Sequence, residues 1–96
     1  MTTRFEWDEN KAASNLDKHG VSFDEASTVF DDPSAKIFDD ETHSISEYRE
    51  IIIGHSINGQ LMLVGFTERP KDIIRIISAR LPTRRERKDH EENSDL

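Results

Sequence analysis

The 96-residue sequence contains no cysteine. Disulfides and thiolate metal sites are therefore excluded, and a reducing compartment fits. Glycine is scarce, with four in the chain, and no Gly-rich segment opens a helix in the manner of a phosphate-cradling loop. No Ser-His-Asp order and no paired-carboxylate pattern stands out. His43 and His55 lack a second histidine at ligand spacing, so no metal site is expected. No apolar run approaches the roughly 20 residues needed to cross a bilayer. The opening stretch MTTRFEWDEN has no apolar segment of the secretory kind, and the expected location is the cytoplasm.

What remains is a small domain, expected over residues 1–90, with an acidic and disordered tail at 91–96. Hydrophobic residues make up 33% and charged residues 34%. The apolar ones are clustered, which fits a folded chain with one core. The net charge of −7 argues at first against a nucleic-acid partner, but its distribution does not. Residues 1–68 hold 5 Lys and Arg against 14 Asp and Glu, residues 69–88 hold 8 against 2, and residues 89–96 hold none against 4. A local basic segment matters more to a polyanion than the total. The competing reading, a solvated and salt-bridged helix, fits the charges after residue 83.

Arg4–Trp7 reads as an edge strand. Asp8 suits a helix N-cap, and the helix runs to His19, where Gly20 supplies a left-handed stop. Ser22 and Glu25 form a capping box for a second helix, which ends before Pro33. Residues 35–39 fit a brief strand. Tyr48–His55 and Leu61–Arg69 fit strands joined through Asn58-Gly59, a pair favoured in tight hairpins. Ile73–Arg80 is the last strand. Thr83 and Glu86 form a second capping box, opening a helix with almost no apolar face that packing should hold weakly. The expected class is α+β: a small antiparallel sheet, two N-terminal helices on one face, and a C-terminal helix.

The last two strands deliver arginines. Alternation puts Thr67 with Arg69, Ser78 with Arg80, and Arg75 on the face opposite Arg80. Arg69 and Arg80 sit at strand ends and suit phosphate, because a guanidinium meets two oxygens and stays charged. The alternative is pairing with acidic residues of the first half. Trp7 fits the core better than a base-stacking platform.

The order FEWD, Lys11, Asn15, KHGVSF-x-EA-x-x-VF-x-DP, Arg49, Ile-Gly, T-x-R, RIISAR and an RRER-type helix resembles the BrnT-like family of type II toxins. The resemblance runs from Phe5 to about His90. It departs at Pro82, where relatives often carry alanine, and at His90, where many carry an aromatic residue. It implies a RelE-like fold, metal-independent cleavage of RNA with inhibition of translation, and no cofactor. It also implies neutralisation by a BrnA-like antitoxin whose ribbon-helix-helix part binds operator DNA, with the toxin as corepressor.

On that resemblance, His19, Arg49, Arg69 and Arg80 are the candidate catalytic residues. Lys18, Thr67, Arg75, Arg84 and Arg85 are the candidate RNA contacts. His19 carries an imidazole, the side chain best suited to proton transfer in either direction, although a cationic residue in a last helical turn also satisfies free carbonyls. Glu25 suits a base, yet its cap position accounts for it. The competing function is a catalytically silent module that acts through its antitoxin. Direct DNA binding by the last helix is disfavoured by the acidic tail.

Overall fold

A computed structural model describes residues 3–41 and 47–93. Its elements are β1 (Arg4–Glu6), α1 (Glu9–His19), α2 (Phe23–Ser27), a 3₁₀ turn (Thr28–Asp31), β2 (Lys36–Asp39), β3 (Glu50–His55), β4 (Leu61–Arg69), β5 (Ile73–Arg80) and α3 (Arg84–Asn93). His43 lies outside the described residues. No helix is long and apolar enough to cross a membrane, among the described residues.

Local signals set the helices. Asp8 accepts from the amides of Asn10 and Lys11, and Gly20, at φ 69°, closes α1 with its amide on Leu16. Ser22 caps α2 through the Glu25 amide at 3.0 Å. The box is not reciprocal: the Glu25 carboxylate instead accepts from Ser56 Oγ at 2.7 Å and so ties α2 to the β3–β4 hairpin. That hairpin has a three-residue loop in which Gly59 alone takes positive φ, at 79°. It is not the two-residue turn that Asn-Gly favours, because Ser56 and Gln60 close the loop between them.

The sheet order is β1-β5-β4-β3-β2. The four-strand meander is antiparallel, but β1 pairs parallel with β5, so the sheet is mixed rather than antiparallel. Strand β1 is three residues long and meets only the first part of β5. Beyond it, Asn15 covers the β5 edge: its Nδ2 donates to Ala79 O at 2.7 Å, and its Oδ1 accepts from Ala79 N at 3.1 Å.

One face of the sheet forms the core. Ile52, Met62, Val64, Phe66, Ile76 and Ala79 pack there against Val21, Phe23, Ala26 and Val29. Trp7 meets Phe23 edge-on, with ring centroids 6.0 Å apart. The opposite face carries Ile53, Leu61 and Leu63, and α3 lies across it. The last helix runs to Asn93, so residues 91–93 are helical rather than part of a tail.

Helix α3 is held better than its composition suggests. His90 is 5% exposed and lines a pocket with Phe38, Ile53 and Leu63. The capping box is complete: Glu86 accepts from the Thr83 amide at 2.8 Å, and Thr83 Oγ1 from the Glu86 amide at 3.1 Å.

Register pairs Gly65 with Ser78 but Phe66 with Ile76. Ile77 is therefore an extra residue, a β-bulge. It lets Ile76 and Ala79 both enter the core. It also brings Arg75 onto the same face as Arg80, which overturns the alternation reading.

Two buried titratable groups bias stability in opposite directions. Glu50 is pushed up to about 7 by its hydrogen bond to Glu68, by burial, and by the charges of Glu68 and Asp39. The folded state then holds a proton that the unfolded chain releases near 4.5, so stability falls as pH rises from about 4.5 through about 7. Glu50→Gln is expected to raise the melting temperature at pH 8 by several degrees and to do little at pH 4. Burial and the nearby His55 hold His90 below its ordinary value of 6.5. Its contribution is full above 6.5 and is lost as pH falls below it. His90→Phe should remove the acid-induced loss of hydrogen-exchange protection in α3.

Candidate functional site

The bulge defines the site. On the face opposite the core, a cleft of about 310 Å³ is lined by Asp40, Arg49, Ile51, Leu63, Gly65, Ile77, Ser78 and Arg80. Around the β5 edge, past the end of β1, a second cleft of about 430 Å³ is lined by Lys11, Ser14, Asn15, Asp17, Lys18, His19, Ile77 and Ser78. Ile77 and Ser78 line both. The two clefts adjoin at the bulge, with Arg49 and Arg80 on one side and Lys18 and His19, at the end of α1, on the other.

Gly65 makes room for this arrangement. A Cβ there would stand 2.6 Å from Ser78 Oγ, closer than atoms tolerate, so only glycine lets the Ser78 hydroxyl occupy the cleft floor. Glycine inside a strand is the sequence signal that could have found the bulge. Ser78, Gly65, Lys11 and Asp40 are among the site-lining residues absent from the candidate set read from the sequence.

The arginines share one face, but they do not meet. Leu63 is opposite Arg80 and Arg69 is opposite Ile73, which separates Arg69 from Arg80 by roughly 20 Å along β4 at about 3.3 Å per residue. Arg80 makes a bidentate pair with Glu86, at 2.8 and 2.9 Å. That pairing, ahead of the Thr83 hydrogen bonds, pulls the Glu86 carboxyl down to about 2.

At the other end of the face, Arg75 meets Glu6 at 2.9 Å and Arg69 meets the same carboxylate at 3.5 Å. Glu47 lies 3.9 Å from Arg69 and 3.3 Å from Arg49. Thr67 is buried, and its hydroxyl donates to the Tyr48 carbonyl at 2.7 Å, so it anchors the entry to β3. Lys18, His19, Arg84 and Arg85 are exposed. The structure thus brings His19, Lys18, Arg49 and Arg80 to a pair of adjoining clefts and leaves Arg69, Arg75 and Thr67 outside them.

A family model described as ribonuclease toxin, BrnT, of type II toxin-antitoxin system matches residues 7–86. The chain belongs to the BrnT toxin family. Among solved structures it is similar to the crystal structure of the Brucella abortus ribonuclease toxin, BrnT, at 26% identity and a TM-score of 0.66, over 86% of this chain and 100% of that one. No curated protein matches the chain. The shared architecture is a five-stranded mixed sheet with three helices. At the level of the family, the chain is a ribonuclease toxin of a type II toxin–antitoxin system. The matched span includes Arg49, the bulge, Arg80 and Glu86.

The close approach of Gly65 to Ser78 makes a direct prediction. Gly65→Ala should cost about 1–3 kcal/mol by overpacking. Ser78→Ala in the same chain should recover most of it, because Ser78 Cβ lies at an ordinary 3.9 Å. Urea denaturation of the single and double variants measures both effects.

Proposed function

We propose that this chain cuts RNA without a metal ion, by attack of a ribose 2′-hydroxyl on the adjacent phosphorus. The observation that supports the reading is the bulge shared by the two clefts, with Arg49 and Arg80 lining one and Lys18 and His19 the other. As the 2′-oxygen bonds to phosphorus, negative charge grows on the non-bridging oxygens. Arg49 and Arg80 hold them in this reading, with the Ser78 hydroxyl as a further donor. The 2′-hydroxyl gives up its proton and the departing 5′-oxygen takes one, leaving a 2′,3′-cyclic phosphate and a 5′-hydroxyl. His19, on the far side of the bulge, is the proton-transfer group, and Lys18 adds positive charge. Arg69 and Arg75 extend the cationic face toward flanking nucleotides, and Arg84 and Arg85 do so from the start of α3.

Cleavage of messenger RNA in the cytoplasm would stop translation. A BrnA-like antitoxin would cover the site, and its ribbon-helix-helix part would carry the pair to operator DNA. One observation favours the silent-module reading: Arg80 is already neutralised by Glu86. Both groups are partly exposed, so a phosphate, which the same guanidinium fork also fits, can reach Arg80 and compete with the carboxylate for it.

The test is cleavage of a defined RNA by antitoxin-free protein in excess chelator, with analysis of the new ends. Cyclic phosphate ends are expected. Arg80→Ala and Arg49→Ala should each lower the rate by about 10²–10³-fold, as loss of a preorganised donor does. Arg69→Ala should change it by no more than a few-fold. Full activity in both the Arg80 and Arg49 variants, with folding confirmed by circular dichroism, would remove the cleft from the chemistry.

A further inference from the structure

The outer edge of β2 has no role in the chemistry above. Strand β2 is the last strand of the sheet and is exposed along its whole length. Ile37 is 55%, Phe38 46% and Tyr48 57% exposed, and these are half of the exposed large apolar side chains among the described residues. Tyr48 donates its hydroxyl to Asp39, so the three belong to one edge. An apolar open edge is a template for another strand.

The backbone fixes which groups that edge presents. The Asp40 amide donates inward to the Arg49 carbonyl. Alternate residues of an antiparallel strand point their polar groups to opposite sides, so Lys36, Phe38 and Asp40 face β3. Ile37 and Asp39 therefore offer their amides and carbonyls outward.

We propose that β2 pairs with β2 of a second copy, antiparallel about a two-fold axis at Phe38, joining the two sheets edge to edge. An axis perpendicular to the sheet keeps equivalent faces on the same side, so residues 36, 38 and 40 oppose residues of the same set. With the axis at Phe38, the two phenylalanines face each other at a non-hydrogen-bonded position. Ile37 exchanges backbone bonds with the partner's Asp39, and Lys36 stands opposite the partner's Asp40. Moving the axis by one residue either way sets Phe38 against a lysine or an aspartate and loses the ion pair. Cross-strand aromatic and opposite-charge pairs favour the first register.

The contact is isologous and small, so the dimer is reversible and concentration-dependent. It reaches the cleft, because Asp40 lines the cavity with Arg49 and Arg80. The partner's Lys36 would offset Asp40, the carboxylate just past β2 that lines the cleft. Both clefts would open on the same side of the dimer. The pairing stands whether or not the cleft cuts RNA.

The absence of cysteine makes the test direct. Phe38→Cys places two thiols opposite each other at a Cα separation of about 4.5 Å, within the range for a disulfide. Under mild oxidation it should form covalent dimer at least about tenfold faster than Ile57→Cys, a still more exposed position on the β3–β4 hairpin. Lys36→Glu and Asp40→Lys, each in the Phe38→Cys chain, should slow the reaction, and the two together should restore it. Sedimentation of the unmodified chain should show its mass rising with concentration. Crosslinking no faster at 38 than at 57 overturns the pairing. A rate indifferent to the charge swaps overturns the register.

Discussion

Ser78 faces the cleft because Gly65 stands opposite it and Ile77 takes up one residue of slack. A regular β5 would keep strict alternation. Ile76, Ser78 and Arg80 would then share a face, and that face would be the core, since Ile76 is 1% exposed. A hydroxyl and a guanidinium would be driven into an apolar layer at a cost of several kcal/mol. The bulge resolves the conflict. It lets Ile76 and Ala79 pack on the helical side and turns Ser78 and Arg80 to the other. The same residue spreads the β5 edge where β1 ends, which is why both clefts meet there.

Helix α3 depends on that outcome. It has little apolar surface, so it docks by polar means. Glu86 is the hinge of the arrangement: one carboxylate closes the capping box on Thr83 and takes both arms of Arg80. His90 then lines the pocket beside Phe38, Ile53 and Leu63. Among the described residues, neither of its ring nitrogens has a hydrogen-bond partner. The imidazole is used as an aromatic surface, at the position where relatives are expected to carry an aromatic residue. The histidine therefore adds a pH dependence to this contact.

How much the sequence discloses follows from the range of each interaction. Asp8, Gly20, Ser22, Thr83 and Glu86 act within one helical turn, and each cap is where the spacing puts it. The second role of Glu25, holding Ser56, is set by a contact between distant segments and leaves no local trace. The partner of β1 is equally hidden: a three-residue strand has no pattern that names its neighbour. Alternation misplaced Arg75 because it assumes no bulge, although Gly65 in mid-strand was a sign of one. The helix-end imidazole and the strand-end Arg80 were legible as residue types suited to phosphate chemistry. That they line adjoining clefts on either side of an edge, while Arg69 lies at the far end of β4, is a matter of register.

The carboxylates on the cationic face bear on how such a site stays selective. Glu6, Glu47 and Glu86 between them engage Arg49, Arg69, Arg75 and Arg80. A guanidinium left bare would attract any anion, and the wrong ones as readily as RNA. Partial neutralisation lowers that background without removing the donors, because exposed pairs exchange at little cost. A polyanion differs from a lone phosphate in presenting several charges along a line. It can displace Glu86 at one end and Glu6 at the other together, and each contact raises the effective concentration of the next. The roughly 20 Å between the two ends corresponds to a few nucleotides of extended backbone, so on the proposed reading the ion-paired face would favour a chain of phosphates over a single one. On that reading, the separation that rules out a shared pocket for Arg69 and Arg80 would give the face this preference.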